Sequence, residues 1–446
     1  MEIEADIAVV GGGPAGAASA LLLAQQGYRV ILVDKCAFPR DKPCAEYLSP
    51  EVSTVLGRLG VLATVEAAMP ARLKGFLVYT PRGRVFRGDF AGARDRQGQI
   101  IHETGLALSR AIFDTLLLEA ARAAGVIILE QMRITQLSNG PKPGQMTLHA
   151  IAHCAISSTL EPGRRPGKEA RIYEHLPHAG TSSDPQWGLE RVDLRASLVI
   201  AADGVHSTIA RRLGLHQPSR RLRRIALVTH MRGISDLTPY GEMHVGYGRY
   251  AGLAPLEPPE RGDLTNVAIV VDETEGQQIA GHVEAFFDEA LRGFPGLTGR
   301  LAAARRVKPV LAVNRLAVRA RRLVADGVML VGDAAGFYDP FTGEGIYRAL
   351  RGAELLAAVA APALAAGDCS VARLADYERQ HHREFDSKHA VEWIVQEAIM
   401  RPWLFHHIAG QLARHKSMAD TLMGVTGDFL PASAVLRPGY LLRLLI

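Results

Sequence analysis

The sequence predicts an α/β protein in which a parallel sheet of β-α-β units carries an inserted antiparallel sheet and is followed by a helical region. Three observations predict it. A buried strand pattern at 7–10 turns through Gly11-Gly12-Gly13-Pro14-Ala15-Gly16 into an Ala/Leu-rich helix pattern at 14–26. Far downstream, residues 327–350 repeat the strand–loop–helix order as G-V-M-L-V-G-D-A-A-G-F-Y-D-P-F-T-G-E-G-I-Y-R-A-L. Between 224 and 320 the chain alternates apolar and polar residues in runs of strand length.

Composition narrows the class. A chain of 446 residues can bury more than one core. Hydrophobic residues make up 48% and charged residues 22%, the balance of a water-soluble protein. The net charge of +5 comes without a Lys/Arg run interleaved with aromatics, so no nucleic-acid partner is expected. Arg220, Arg221, Arg223 and Arg224 read as a solvated loop, with contact to an anionic group as the alternative. Cys36, Cys44, Cys154 and Cys369 make no C-x-x-C spacing. His381, His382, His406 and His407 form adjacent pairs that diverge by about 100° on a helix, so no metal site is expected. Scattered cysteines and the lack of a basic leader before the first strand suit the cytoplasm. The apolar run at 355–367 is too short to span a bilayer and contains Pro362, which leaves only a peripheral membrane contact open.

The remaining elements follow in order. A strand at 29–33, ending at Asp34, completes the first β-α-β unit. A proline-rich loop spans 36–50 and a short helix 51–59. Residues 76–90 alternate as an antiparallel hairpin turning at P-R-G. Residues 109–124 form an amphipathic helix capped by Ser109, striped by Ile112, Phe113, Leu116, Leu117 and Ala120, and stopped by Gly125. A strand is expected at 126–129. Residues 138–190 read as a hairpin with a long excursion at 155–190, rich in Pro, Gly and Ser. A strand at 198–201 ends in Asp203-Gly204. Further strands are expected at 225–230, 242–247, 266–271 and 310–318, and a helix at 286–297. Helix then runs from 372 to 422, and R-P-G-Y-L-L-R-L-L-I at 437–446 reads as a short tail. This assigns 1–75, 101–214 and 321–365 to one discontinuous domain, 76–100 and 215–320 to a second, and 366–446 to the helical region.

The glycine-rich units carry the chemistry. Gly11 allows a tight turn, Gly13 lets the backbone approach a pyrophosphate, and Gly16 lets the helix pack on its strand. Pro14 and Ala15 open a helix whose free N–H groups and dipole favour phosphate. Asp34 stands where a carboxylate takes ribose hydroxyls, with Lys35 beside it. Arg110 is a cation in the first turn of a helix, where the dipole opposes it; a phosphate contact explains it better than a surface role. Asp203-Gly204 is a plain turn or a cofactor contact. Asp333, after Gly332, can accept from a ribityl chain or pyrophosphate waters. The helix opening at Gly343-Glu344-Gly345-Ile346 aims its N-terminus at the preceding loop, and the glycines admit a flat ring close to the backbone. Two such units far apart in sequence suit FAD, held from both ends.

Gly11–Gly16, Ala202-Asp203-Gly204 and Gly332-Asp333, in this order and spacing, resemble the three FAD fingerprints of the FAD-dependent aromatic hydroxylase and geranylgeranyl reductase superfamily, over residues 1–365. D-P-F-T-G-E-G-I-Y at 339–347 and K-P-C-A-E-Y-L-S-P at 42–50 look most like its geranylgeranyl reductase branch. The resemblance implies a Rossmann-type FAD-binding domain with an inserted substrate sheet and an active site between them. It also implies that the 42–50 loop lies near the isoalloxazine, bringing Cys44, Ala45 and Glu46 to the ring. There are departures. Ala45 replaces the branch's usual second glycine, and its aromatic G-Y-x-W-x-F-P is only echoed by Gly246-Tyr247-Gly248-Arg249-Tyr250 and Leu253-Ala254-Pro255. The W-x-W-x-I-P of flavin halogenases is absent. No second G-x-G-x-x-G serves NAD(P)H, as is normal in the hydroxylase branch.

The expected function is that of an FAD-dependent oxidoreductase. The first expectation is a monooxygenase that hydroxylates a lipophilic aromatic or polyketide-type substrate, with NAD(P)H as transient reductant and O2 as co-substrate. The alternative is a reductase that saturates prenyl double bonds, with Cys44, Tyr47 or Tyr247 as candidate proton donors. A non-catalytic prenyl-binding carrier on the same fold is the second alternative, and the complete set of fingerprints argues against it. W-I-V-Q-E-A-I-M-R-P-W-L-F at 393–405 reads as core packing, or as a lipophilic tunnel or membrane contact.

Overall fold

The computed structural model describes residues 2–90, 104–155, 187–276 and 281–446. In the first sheet, Glu2–Val10 lies between Val30–Val33 and Trp187–Ala201, parallel to both. Ile127–Leu129 and Val328–Leu330 extend the sheet on either side, also parallel. These strands are runs of Val, Ile, Leu and Ala because both faces of a parallel sheet are covered; all of Val30–Val33 is buried. The register sets Val10 against Val33 and Ala201, and Ala201 against Leu330. Gly11, Asp34, Ala202 and Val331 therefore leave the sheet at one edge. That carboxyl edge is where open α/β sheets place their ligands.

Helix α1 (Pro14–Gln25) lies against α2 (Arg110–Ala123) and α3 (Gly345–Ala365). Small side chains permit this close packing. A Cβ at Gly16 would stand 1.8 Å from the Gly11 carbonyl oxygen, and one at Gly332 (φ +62) only 2.7 Å from Cβ of Ala15. The two glycine-rich units are thus packed directly on each other. Ser109 caps α2 as expected, accepting from the Ile112 N–H at 3.4 Å.

In the second sheet, Arg224–Arg232, Thr265–Asp272, Tyr250–Pro255, Gly241–Val245, Gly75–Tyr79 and Val85–Asp89 are hydrogen-bonded in that order. All neighbours are antiparallel except Gly241–Val245 with Gly75–Tyr79. The expected hairpin at 76–90 is present and belongs to this sheet. The strand expected at 310–318 is instead two, Leu311–Asn314 and Val318–Ala320, in different sheets; Arg315 (φ +50) turns the chain between them. Met146–Ala155 and Trp187–Ala201 form the expected hairpin. Residues 156–186 of the excursion expected at 155–190, and residues 91–100 of the range assigned to the second domain, lie outside the described residues.

The helical stretch expected at 372–422 is three helices: α4 (Val371–Ile399), α5 (Pro402–Arg414) and α6 (Lys416–Thr426). Pro402 bars its predecessor Arg401 from the helical region, which makes the first break. Residues 437–446, expected as a short tail, hold a helix, α7 (Pro438–Leu445), with Pro438 pre-set for its first turn. The arginine cluster also divides. Arg224 is fully buried and donates to the Gly248 carbonyl at 2.8 Å, whereas the exposed Arg221 and Arg223 pair with Glu397 and Glu273.

Helices α5 and α6 cover Val85–Asp89 of the second sheet. Where α3, α4 and the end of α6 meet, the interior is charged. Lys388 of α4 pairs with Asp428, which also accepts from the Ser49 hydroxyl at 2.6 Å; Arg348 of α3 pairs with Glu392 at 3.2 Å. Lys388, Glu392 and Asp428 are all buried. Removing one member strands another. Lys388→Ala leaves Asp428 unpaired and is expected to lower the unfolding free energy by about 3–5 kcal/mol. Urea denaturation measures this; a loss of under about 1 kcal/mol, the size of a surface ion pair, would contradict it.

Candidate active site

The first glycine turn is lined by cations. Where a Cβ at Gly13 would stand, guanidinium nitrogens of Arg110 and Arg40 lie 3.6 and 3.7 Å away. Arg110 is buried and grips Asp114 through two nitrogens at 2.6 and 2.7 Å. Arg40 reaches Asp114 at 3.3 Å and Asp34 at 3.9 Å. Two fixed guanidinium groups, the first turn of α1 and a bare Gly13 make a cradle that fits a diphosphate. Arg40 carries no signal in the sequence beyond its place in a proline-rich loop. Asp34 is buried, and its carboxylate accepts the N–H groups of Gly12 and Cys36 at 2.7 and 2.8 Å. Each oxygen keeps a lone pair, so Asp34 can fix the turn and still take a ribose hydroxyl. Lys35 is exposed beside it.

The other fingerprints converge on the 42–50 loop. Asp203 caps a short helix through the Thr208 N–H at 2.6 Å, while its buried Oδ1 makes no hydrogen bond among the described residues; burial raises its pKa. Gly204 (φ +81) lies beside Lys42, whose ammonium pairs with Asp333 at 3.7 Å. A Cβ at Gly343 (φ +76) would collide with the Tyr47 ring at 2.7 Å, so the 42–50 loop touches the loop before α3. Gly345 and the buried Ile346 open α3. Glu344, at the cap position, makes no cap bond; its side chain turns into the charged interior near Lys388 and Asp428, and burial raises its pKa well above the carboxylate range.

Glu46 clamps the two sheets together. It is buried in the left-handed region (φ +57) and accepts from the Arg110 N–H at 2.7 Å, His230 Nε2 at 2.6 Å and Asn266 Nδ2 at 2.9 Å. His230 and Asn266 sit opposite each other on neighbouring strands of the second sheet. In the neutral ring, donation from Nε2 leaves His230 Nδ1 as an acceptor; Nδ1 is buried without a partner among the described residues. Cys44 gives its carbonyl to Asn266 at 3.0 Å, its sulfur accepts the Glu46 N–H at 3.3 Å, and the thiol lies by the Arg110 guanidinium; Ala45 links the two residues. Lys42, Glu46, His230, Asn266 and Lys308 line a small polar pocket here. His230 and Asn266 were invisible as site residues, because their strands announce themselves only by alternation.

Tyr47 is buried, its hydroxyl without a partner among the described residues and its ring packed edge-on to Phe76, with centroids 5.1 Å apart. Tyr247 is not part of this assembly. It is 64% exposed on a tight turn closed by the Gly246 N–H to the Arg249 carbonyl at 2.8 Å, and it lines neither the polar pocket nor the apolar cavity. On the cavity side, about 930 Å³ of space, part of it open to solvent, lies between the second sheet (Phe76, Phe86, Met243) and helices α4 to α7. Phe341 and Thr342 of the loop before α3 complete its wall. Its lining hydroxyls are Thr342, Thr426 and Tyr440. They already donate to Glu392 at 3.5 Å and to the Met423 and Met418 carbonyls at 3.3 and 2.9 Å.

Two outcomes follow from this geometry. Arg110→Ala removes one of the two guanidinium groups of the cradle, leaving Asp114 to Arg40 alone, and is expected to weaken FAD binding about tenfold or more by fluorescence titration; unchanged affinity would place the diphosphate elsewhere. Buried Asp339 accepts from Tyr250, from Gln396 at 2.6 Å and from the Phe341 N–H at 3.0 Å, and burial pushes its pKa up to about 6. A raised carboxyl pKa means the folded state holds the proton more tightly, so its stabilisation is full below about pH 4 and is lost as pH rises through 6. Between pH 4 and 7 the native protein should lose about 3 kcal/mol relative to Asp339→Asn, read by denaturation at each pH; parallel profiles would refute the assignment.

A family model described as FAD binding domain matches residues 4–144 and 180–389. Digeranylgeranylglycerophospholipid reductase 1 of Methanothermobacter thermautotrophicus is 28% identical over 408 residues, which is 90% of this chain and 88% of that protein. A geranylgeranyl bacteriochlorophyll reductase-like structure from Thermoplasma acidophilum superposes with a TM-score of 0.69 at 22% identity, covering 100% of this chain and 96% of the other. The p-nitrophenol 4-monooxygenase of Pseudomonas putida gives 0.71 at 19%, covering 96% and 98%. At these identities the two structures speak for the fold alone. The family match spans the glycine turn, Asp34, Arg110, Asp203 and the whole Gly332–Ile346 unit, and the chain belongs to the FAD binding domain family.

Proposed function

We propose that this FAD-dependent oxidoreductase saturates carbon–carbon double bonds in a long, prenyl-type lipid chain. The observation that carries the proposal is the cavity lining, apolar throughout apart from three hydroxyls that already donate within the protein. A phenol or carboxylate placed there would exchange its water hydrogen bonds for little, at a cost of about 1–3 kcal/mol per group. A hydrocarbon chain gains about 25 cal/mol per Å² instead. The similarity to a digeranylgeranylglycerophospholipid reductase over most of both chains supports the same reading.

The residues present fit FAD: Gly13, Arg40 and Arg110 would hold its diphosphate, Asp34 its ribose, and Asp203, Asp333 and the Gly343–Ile346 backbone the other end. Bound and reduced, it supplies a hydride. This chain has to supply the remainder. The cavity aligns the alkene and excludes water. Tyr47 stands one ring behind the lining: it touches Gly343 and Phe76, and Phe76 lines the cavity. Burial raises its pKa and keeps its hydroxyl protonated, and it is the candidate source of the proton for the second carbon. Hydride and proton together add two hydrogens across the bond.

A second reading keeps the oxygenase that the sequence ranks first, an NAD(P)H-dependent monooxygenase acting on a lipophilic aromatic. His230 favours it: the ring lines the polar pocket and its Nδ1 has no partner among the described residues, so a neutral imidazole there is a candidate base for the proton of a phenol. Product masses separate the two. With NADPH and a prenyl lipid under anaerobic conditions, a gain of two hydrogens is expected. A gain of one oxygen, lost when O2 is withheld, would overturn the reductase in favour of the oxygenase.

A further inference from the structure

We infer that the helical region docks on a bilayer surface rich in anionic lipids, with α7 as the element that meets the lipid. Successive residues of a helix turn by about 100°. On α7, Tyr440, Leu441 and Leu444 face the cavity, while Leu442 and Leu445 face away and are 57% and 59% exposed. A helix on the surface of a water-soluble fold carries polar residues on its outer side. Apart from Arg443, α7 offers leucine on both sides, and none of its residues is buried. Trp403, in the first turn of the α5 helix on which α7 packs, is 66% exposed.

Charge identifies the partner. The hairpin tip at 80–87 and the segments 398–419 and 429–446 contain eight arginines and lysines and no aspartate or glutamate. The tip is tied to α5, because Arg84 donates to the His406 carbonyl at 3.3 Å and the Thr80 hydroxyl meets the His406 ring at 3.1 Å. Arg401 and Lys416 are already paired with carboxylates. Arg82, Arg84, Arg414, Arg437 and Arg443 are exposed and form no ion pair among the described residues. Unpaired arginines between exposed leucines and a tryptophan are the composition of interfacial helices on anionic membranes. A second copy of the chain would bring the same positive charge to this face and be repelled.

The arrangement gives a lipid chain a route along α7 from bilayer to cavity that avoids water. That route rests on the proposed lipid substrate; the docking itself does not. The test uses the full-length, FAD-loaded protein in co-sedimentation with phosphatidylcholine vesicles, with and without phosphatidylglycerol. Binding to the anionic vesicles is expected to be about tenfold tighter or more, and to weaken with salt. A Leu442→Glu/Leu445→Glu double variant with normal FAD content should lose that binding, and Arg437→Glu/Arg443→Glu should lose the preference for phosphatidylglycerol. If the leucine variant fails to fold, the exposed arginine pair decides alone. Failure of the native protein to sediment, or unchanged binding by the arginine variant, would overturn the inference. So would a concentration-dependent dimer that the leucine variant abolishes, since it would assign the face to a second copy. Turnover of a detergent-dispersed prenyl substrate is a separate readout, so loss of docking and loss of the proposed activity are distinguishable.

Discussion

A charge taken out of water has to be matched where it is buried, and the meeting point of α3, α4 and the turn after α6 is built on that requirement. Lys388 is held by Asp428, Arg348 reaches Glu392, and the Thr342 hydroxyl and Ser49 hydroxyl reach in from two loops. Three carboxyls, those of Glu344, Glu392 and Asp428, share two cations, and burial raises the pKa of each. Glu344 has an oxygen without a partner among the described residues, and burial among the other carboxyls raises its pKa well above its ordinary value, which favours its neutral form. The first turn of α3 therefore presents its positive dipole to the Gly343 loop without an added negative charge. That end of the helix can stabilise negative charge that develops on a ring placed against it.

The same cluster fixes where the substrate space can be. Anchored through Lys388 and Glu392, α4 cannot slide along α3, and α5 to α7 are set by α4 and by the sheet they cover. The apolar cavity consequently opens beside Phe341 and Thr342 of the loop before α3. On the other flank, Glu46 bonds to α2, to His230 and to Asn266, and so sets the polar pocket on the same loop. One short loop, 42–50, thus divides a polar space from an apolar one. Buried Tyr47 packs on Phe76, which lines the apolar side, and Glu46 lines the polar side.

Much of this was legible in the sequence where one residue has one physical reason to be there. Gly11, Gly16 and Gly332 stand where any side chain would collide with backbone or with Ala15, and the hairpin and strand alternation gave most of the second sheet. Arg110 was legible because a cation in a first turn conflicts with the dipole. Arg40, His230 and Asn266 were not, because their roles depend on partners far away in sequence: Glu46 and His230 are 184 positions apart. Local patterns also misled. R-P-G-Y-L-L-R-L-L-I reads as a short tail, yet a proline in the first turn starts α7. Gly-Tyr-Gly-Arg-Tyr suggests an active-site aromatic, yet the tight turn it makes sends Tyr247 into solvent while Tyr250 goes inward to Asp339. The 310–318 run alternates well enough for one strand, but Arg315 takes a positive φ and divides it.

The claim on which function depends is that the lipid lies in the cavity between α4–α7 and the second sheet. Photolabelling with a prenyl lipid bearing a diazirine along its chain, followed by peptide mass mapping on the FAD-loaded protein, tests it directly. Labels are expected on the peptides containing Phe76, Met243, Phe405 and Met423. Labels concentrated instead on the peptides containing Lys42, His230 and Lys308 would put the substrate in the polar pocket and contradict it.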